Sequence, residues 1–201
     1  MRRKRAFDIV GATVLLVATA PLQLAAAVAI AVEDGRPVVF RQLRPGRGGE
    51  PFAMPKLRTL RINDEDPFAL GQIGPDHPLV TRAGRVLRRM KIDELPQLVS
   101  VLRGDMSLVG PRPGLLEYLH DYDEHQARRL DVRPGLTGWA QINGGVALSW
   151  DDRIDLDVWY IDHWSMRLDL RILASTVAAV VRGDRPRPSA LVAARAHAGR
   201  G

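Results

Sequence analysis

The stretch from Lys91 to Pro113, KIDELPQLVSVLRGDMSLVGPRP, carries two adjacent carboxylates in an otherwise basic part of the chain. Pro96 is tolerated in the first turn of a helix, and apolar residues repeat at helical spacing from Leu95 to Gly104, where the glycine offers a stop. The pattern predicts a helix that begins at or just after Asp93 and Glu94. A helix N-terminus has unpaired N–H groups and a positive dipole end, so it attracts phosphate and keeps a carboxylate ionised.

Two interpretations of the acid pair remain open on these residues. Asp93 can be an N-cap and Glu94 a first-turn acid, with no chemical role. Alternatively, an ionised Asp can attack phosphorus, while its neighbour holds Mg²⁺, an ion usually bound by one or two carboxylates plus substrate phosphates. A glycosidase pair fits less well, because those carboxylates usually come from separate segments on either side of the scissile bond.

Basic residues surround the acid pair on both sides along the chain. Arg85, Arg88 and Arg89 share one face if their segment is helical, which predicts either a solvated basic face or a phosphate site. Arg112 stands between two prolines on a stiff loop, either as a solvent-facing turn or as a guanidinium that grips phosphate oxygens. Arg133, in RPGLTGWAQING, repeats the pattern of Arg, Pro and Gly.

Composition sets outer limits on the fold and on the partners. The 201 residues fit one domain, or one domain with an appendage, and the 46% hydrophobic content supports a packed core. The chain has 29 Lys and Arg against 23 Asp and Glu, a net charge of +6 that suits nucleic acid, anionic lipid or nucleotide phosphates without choosing among them. The absence of cysteine excludes disulfides, thiol nucleophiles and thiolate metal sites.

The segment from Ala6 to Val32, AFDIVGATVLLVATAPLQLAAAVAIAV, carries one charge, Asp8, and exceeds the ~20 apolar residues needed to span a bilayer. A secretory signal peptide, a spanning helix and a re-entrant hairpin all remain open. Pro21 favours the hairpin because proline kinks or breaks a helix, and the basic residues on both flanks favour a cytoplasmic position for both ends. Asp8 is expected near a headgroup or paired with a neighbouring Arg.

The remaining segments carry weaker signals. RPVVFRQ is predicted to be a strand, and the polar stretch from Asn63 to Pro78 a loop. DLRILASTVAAVVR, residues 169–182, is predicted to form an amphipathic helix at a membrane interface. Residues 186–201 are predicted to be a disordered tail.

The chain resembles the bacterial sugar transferases, or monotopic phosphoglycosyl transferases, in several segments. The resemblance runs in the family's order from about Lys4 to Val181, nearly the whole chain, and its central block is highly specific. The matching segments are KRAFDIV, PVVFRQLRPGRGG, PFAMPKLRTL, TRAGRVLRRMKIDELPQLVSVLRGDMSLVGPRP, RPGLTGWAQING and LDVWYIDHWSMRLDL.

The resemblance implies transfer of a sugar phosphate from a UDP-sugar to polyprenyl (undecaprenyl) phosphate with release of UMP, the first step of polysaccharide or glycoconjugate assembly. It implies that Asp93 is the nucleophile that forms a covalent phosphosugar intermediate, and that Glu94 is the Mg²⁺ ligand. Arg88, Arg112 and Arg133 match positions assigned to substrate phosphates.

For the fold, the resemblance implies a mostly α, α/β protein at the cytoplasmic face of the bacterial inner membrane. A re-entrant membrane hairpin broken at Pro21 is expected over residues 1–35, and a catalytic domain with short strands and interfacial helices over 36–185. The expected partners are the UDP-sugar, polyprenyl phosphate and membrane lipid, without nucleic acid; a homo-oligomer remains open. A basic binding module without catalysis and an inactive membrane scaffold are the competing hypotheses.

Overall fold

The computed structural model describes residues 2–62, 77–182 and 186–199. The fold is mostly helical, with short strands, as the sequence predicts. Except for its last two residues, the predicted loop 63–78 lies outside the described residues.

The N-terminal segment forms one helix, α1, over Arg2–Asp34, and Pro21 lies inside it. The break expected at Pro21 is therefore not observed. Proline removes one intrahelical hydrogen bond, but the surrounding Ala and Leu residues are strong helix formers and support the helix on both sides. Among the described residues, α1 is the one helix long and apolar enough to cross a membrane.

The part of the chain that follows α1, called the polar domain here, binds the first turns of α1 through buried charges. Asp8 is buried, and its carboxylate accepts hydrogen bonds from the Ser107 hydroxyl at 3.0 Å and the Leu108 amide at 3.1 Å. Asp8 is therefore held by a hydroxyl and a backbone amide and not by the Arg partner that was one expected alternative; its position near the headgroups stays a prediction. Lys4 forms a 2.6 Å ion pair with Asp169, which is fully buried.

The last turn of α1 contacts the same domain. The carboxylate of Glu33 accepts hydrogen bonds from the amides of Arg82 and Ala83, at 2.7 and 2.8 Å. Asp34 pairs with Arg58 at 3.2 Å. Between these two contact regions α1 exposes an apolar surface. Its exposed large apolar residues are Ile9, Val10, Val14, Leu15, Val17, Leu22, Leu24, Val28 and Val32.

Two small sheets flank the centre of the chain. Strands β1 (Val39–Pro45) and β2 (Pro51–Leu57) form an antiparallel hairpin, with Val39 opposite Leu57. After α2 (Arg82–Arg89), a 3₁₀ turn over Ile92–Gln97 leads directly into α3 (Leu98–Arg103). Strand β3 (Ser107–Val109) pairs in parallel with β4 (Gly135–Thr137).

The C-terminal half is helical. Its helices are α4 (Glu124–Ala127), α5 (Trp139–Ile142), α6 (Trp150–Asp162), α7 (Met166–Arg182) and α8 (Pro188–His197). Helix α7 contains the helix predicted over 169–182. A continuous core joins α1, α3, β3, α5, α6 and α7; its fully buried members include Ala12, Leu98, Val101, Met106, Leu156 and Ile172.

Helix α8 contradicts the prediction of a disordered tail over 186–201. Ala194 is buried in the main core, and Arg195 binds both carboxylate oxygens of Asp152 on α6, at 2.8 and 3.1 Å. His197 lies 2.7 Å from a carboxylate oxygen of Asp162, also on α6. This segment forms an ordered helix because α6 supplies carboxylates for Arg195 and His197, while Ala194 packs in the core.

Candidate active site

The acid pair lies where the backbone reverses between two helical segments. Helix α2 ends at Arg89, and Lys91 adopts a left-handed conformation with φ 57°, which is uncommon outside glycine. The chain then starts a new helical turn, with Asp93 and Glu94 in its first turn. This confirms the predicted start of a helix at the acid pair.

Asp93 is a buried carboxylate with an unused oxygen. The residue is 8% exposed, and Oδ1 has no hydrogen-bond partner among the described residues. Burial, together with the adjacent Glu94, raises the pKa of Asp93 to about 6, although the nearby cations Lys56, Arg88 and Arg112 oppose the increase. The carboxylate is therefore ionised at neutral pH yet poorly solvated, which favours nucleophilic attack.

Glu94 has cationic partners that come from two other parts of the chain. Arg112 binds both of its carboxylate oxygens, with Nη1 3.1 Å from Oε2 and Nη2 in close contact with Oε1. Lys56, on β2, lies 3.2 Å from Oε1. Burial alone would raise the pKa of Glu94, but Arg112 and Lys56 outweigh it and hold that pKa well below its usual range. Glu94 is therefore ionised at neutral pH.

Arg88 approaches Asp93 from the last turn of α2. Its Nε donates a 2.8 Å hydrogen bond to the hydroxyl of Thr59, and its charge attracts the Asp93 carboxylate. Burial lowers the pKa of Arg88. The structure thus brings Arg88 and Arg112 to the acid pair, as expected for residues that bind substrate phosphates.

The structure places Arg133 elsewhere. Its Nε donates a 2.7 Å hydrogen bond to the carbonyl of Gly104, which ends α3 at the far side from the acid pair. Arg5 binds the neighbouring Leu102 carbonyl at 2.8 Å. Both guanidiniums therefore satisfy carbonyls at the C-terminus of α3, where positive charge is favourable.

Sequence reasoning missed two cations of this site. Lys56 lies in β2 between buried neighbours, and burial lowers its pKa while Glu94 opposes the decrease. Burial and the nearby Arg112 also lower the pKa of Arg44, on β1, to about 10. A lone basic residue within an apolar strand, as in PFAMPKL, was the signal available for Lys56.

The two carboxylates fit a Mg²⁺ ion that is shared with substrate better than one bound by protein alone. Within the described residues no three His, Asp or Glu side chains cluster into a site made by protein alone. Asp93 and Glu94 do match an ion shared with substrate, because Mg²⁺ takes one or two carboxylates and fills its remaining positions with phosphate and water. The unpaired Oδ1 of Asp93 agrees with such a site, whereas Glu94 would exchange part of its contact with Arg112 or Lys56.

Comparison with known proteins places this geometry in context. A family profile described as bacterial sugar transferase matches residues 1–183. The sugar transferase EpsL of Bacillus subtilis (strain 168) is 49% identical over 178 residues, which cover 89% of this chain and 87% of that protein. A UDP-glucose:undecaprenyl-phosphate glucose-1-phosphate transferase of Caulobacter vibrioides is 46% identical, over 90% of this chain and 71% of the relative.

A third relative is longer. The undecaprenyl-phosphate glucose phosphotransferase of Komagataeibacter xylinus is 44% identical over 88% of this chain. The match covers 35% of that protein, so this chain corresponds to about a third of its length.

Proposed function

The chain belongs to the bacterial sugar transferase family, and on that basis we propose that it transfers a sugar 1-phosphate from a UDP-sugar to undecaprenyl phosphate. The names of two relatives state that they transfer a sugar phosphate to undecaprenyl phosphate, and one of these names a UDP-sugar donor. The observation that carries the proposal is the buried, unpaired Oδ1 of Asp93 beside Glu94 and the cations that surround it.

In the first step, the Asp93 carboxylate attacks the phosphorus that bears the sugar. A bond forms between the Asp93 oxygen and that phosphorus, and the bond between this phosphorus and the oxygen bridging to the nucleoside phosphate breaks. UMP leaves, and the sugar phosphate remains covalently attached to Asp93. Because the carboxylate is buried, it reacts with less loss of hydration than a solvated one.

The cations near the acid pair suit a donor that carries a diphosphate. Arg88 and Arg112 supply planar N–H groups that match phosphate oxygens, and Lys56 supplies a compact charge. Phosphoryl transfer depends mainly on positioning and on stabilising charge that develops on the departing oxygens. Bound Mg²⁺ would neutralise negative charge on the diphosphate, and Glu94 is the residue that we assign to hold it.

In the second step, an oxygen of undecaprenyl phosphate attacks the same phosphorus. The bond to Asp93 breaks, the carboxylate is regenerated, and the lipid diphosphate sugar is released. Water attack on the intermediate would waste donor, so a partly closed site is required. The small exposure of Asp93 meets this requirement.

The acceptor is a lipid, so the site must lie at headgroup depth. We propose that α1 lies in the cytoplasmic leaflet of the inner membrane with both ends on the cytoplasmic side. Its first and last turns bind the same polar domain, through Lys4, Asp8 and Glu33, and its exposed middle is apolar. A helix that crosses ~30 Å of hydrocarbon separates its ends on opposite faces.

Radiolabelled UDP-sugars offered with undecaprenyl phosphate and Mg²⁺ test the proposal. We expect lipid-linked product from the native protein and none from Asp93→Asn, with Asp121→Asn, an exposed acid outside the site, as the matched control. Without acceptor, the native protein should retain label and release UMP in stoichiometric amount. Full turnover by Asp93→Asn would show that another group is the nucleophile.

A further inference from the structure

The loop that carries Arg112 presents this side chain to Glu94 although the side chain itself is 41% exposed. A long, half-exposed side chain has many rotamers, and its own packing does not fix its direction. The backbone from which it projects must therefore be held in place. Two guanidiniums from other parts of the chain bind carbonyls of this loop.

The first is Arg129, which is buried with 6% exposure. Its Nη2 donates a 2.7 Å hydrogen bond to the carbonyl oxygen of Arg112. The same Nη2 lies 2.9 Å, and Nε lies 3.0 Å, from Oδ2 of Asp157 on α6. The Trp150 ring lies 5.0 Å away. Because a guanidinium is planar, fixing Nε and Nη2 on Asp157 also sets the direction in which Nη2 donates to the carbonyl.

The second is Arg44, on β1. Its Nη1 donates a 2.8 Å hydrogen bond to the carbonyl of Gly114, two positions beyond Arg112. The amide oxygen of Gln42 accepts from Nε at 3.0 Å and from Nη2 at 2.6 Å, which fixes the orientation of this guanidinium as well. The loop is thus held at two carbonyls on either side of Pro113.

We propose that Arg129 and Arg44 are positioning residues that aim the Arg112 guanidinium at the acid pair and at the donor phosphates. They act through backbone carbonyls, and Asp157 and Gln42 orient them. This inference rests on the proposed function, since it assigns Arg112 a contact with substrate. It adds that residues on β1 and α6 set the geometry of that contact.

A double-mutant cycle tests the proposal. Arg129→Lys keeps a cation beside Asp157 but removes the planar fork, and we expect kcat/KM for the donor to fall by about 10²-fold, as for a misplaced catalytic group. In an Arg112→Ala background the same change should alter kcat/KM by no more than about twofold, because the residue it positions is already missing. Arg44→Lys should behave in the same way and serves as a second variant if Arg129→Lys does not fold.

Arg128→Lys is the matched control. Arg128 is the adjacent arginine, and it also binds an Asp on α6 through two nitrogens, but its partner is Asp162 and the pair is exposed. This variant should leave kcat/KM unchanged. An equal loss from Arg129→Lys in the native and Arg112→Ala backgrounds would mean a general structural role and would overturn the proposal.

A second readout does not depend on turnover. The guanidinium nitrogen NMR signals of Arg112, assigned with Arg112→Lys, should show slow rotation in the native protein because Glu94 binds two nitrogens. In Arg129→Lys and in Arg44→Lys the guanidinium of Arg112 should rotate faster, so that its nitrogen signals merge into an average. In Arg128→Lys the signals should stay separate. If Arg112 rotation stays slow in both variants, the positioning role is refuted, and this holds even if the native protein transfers no sugar. If the native protein transfers no sugar but both variants speed up Arg112 rotation, the proposed function fails and the positioning role stands.

Discussion

The guanidinium of Arg112 binds the carboxylate of Glu94 through two hydrogen bonds, although 18 positions separate the residues along the chain. This pairing, together with Lys56, holds the pKa of Glu94 well below its usual range, so Glu94 is ionised at neutral pH. Asp93, whose pKa is raised to about 6, is then the carboxylate of the pair that titrates near neutrality. The two adjacent acids thus have different protonation behaviour because different groups surround them.

The first half-reaction should depend on pH through Asp93. Only the ionised carboxylate attacks phosphorus, so UMP release without acceptor should rise as pH increases through about 6 and level off above it. Omitting undecaprenyl phosphate removes the titration of the acceptor phosphate from the profile. A rate that stays constant between pH 5 and 8 would contradict the assignment.

Asp93→Asn should stabilise the protein at pH 8. A buried acid with a raised pKa binds more protons in the folded state than in the unfolded state, so its contribution to stability falls as pH rises from its ordinary pKa of 3.8 to about 6 and is constant above that. Asn removes that penalty, and we expect a gain in unfolding free energy on the order of 2 kcal/mol at pH 8. Thermal unfolding should show the full gain at pH 8, about half of it at pH 5 and almost none near pH 3, below both pKa values.

Lys56→Met should impair transfer without unfolding the domain. Lys56 lies 3.2 Å from Glu94, and its charge helps to keep Glu94 ionised and to balance the donor diphosphate. We expect kcat/KM to fall by about 10²-fold, as for loss of one stabilising donor. Arg41→Met, an exposed basic residue on the neighbouring strand, is the control and should retain activity. Equal activity of the two variants would show that Lys56 does not contribute to transfer.

Asp169→Asn should destabilise the attachment of α1. The buried carboxylate of Asp169 accepts hydrogen bonds from Lys4 and Tyr160, each at 2.6 Å, and from Trp164 at 3.2 Å. Removing its charge leaves Lys4 without its anion, and we expect a loss of about 3 kcal/mol in unfolding free energy. Asp162→Asn, which breaks exposed pairs, should cost less than about 1 kcal/mol in the same denaturant titration.

Single cysteines can locate the ends of α1, because the native chain has no cysteine. Arg3→Cys and Arg36→Cys should both react with an impermeant thiol reagent from the cytoplasmic side of membrane vesicles. Val17→Cys, in the exposed apolar middle of α1, should react only after detergent is added. Labelling of the two flanking positions from opposite sides would establish a helix that spans the bilayer.

The sequence by itself determined the local features of this protein. Helical periodicity, Pro96 and a following glycine predicted a helical start at Asp93 and Glu94, and the apolar run predicted a membrane-associated N-terminal segment. These features depend on residues that are close together in the chain, and their spacing can be read directly from the sequence. The proline at position 21 wrongly predicted a helix break, and the composition of residues 186–201 wrongly predicted a disordered tail, because flanking helix formers and tertiary contacts override these local signals.

Only the tertiary structure decided which charges meet. Lys56 and Arg112 reach Glu94 from 38 and 18 positions away, while Arg133, with the same Arg-Pro-Gly pattern as Arg112, binds the Gly104 carbonyl instead. The sequence does not show which acid a basic residue will pair with, because pairing depends on how β2, α3 and the loops pack in space. Packing therefore decides that Arg112 binds the acid pair whereas Arg133 binds a carbonyl at the C-terminus of α3.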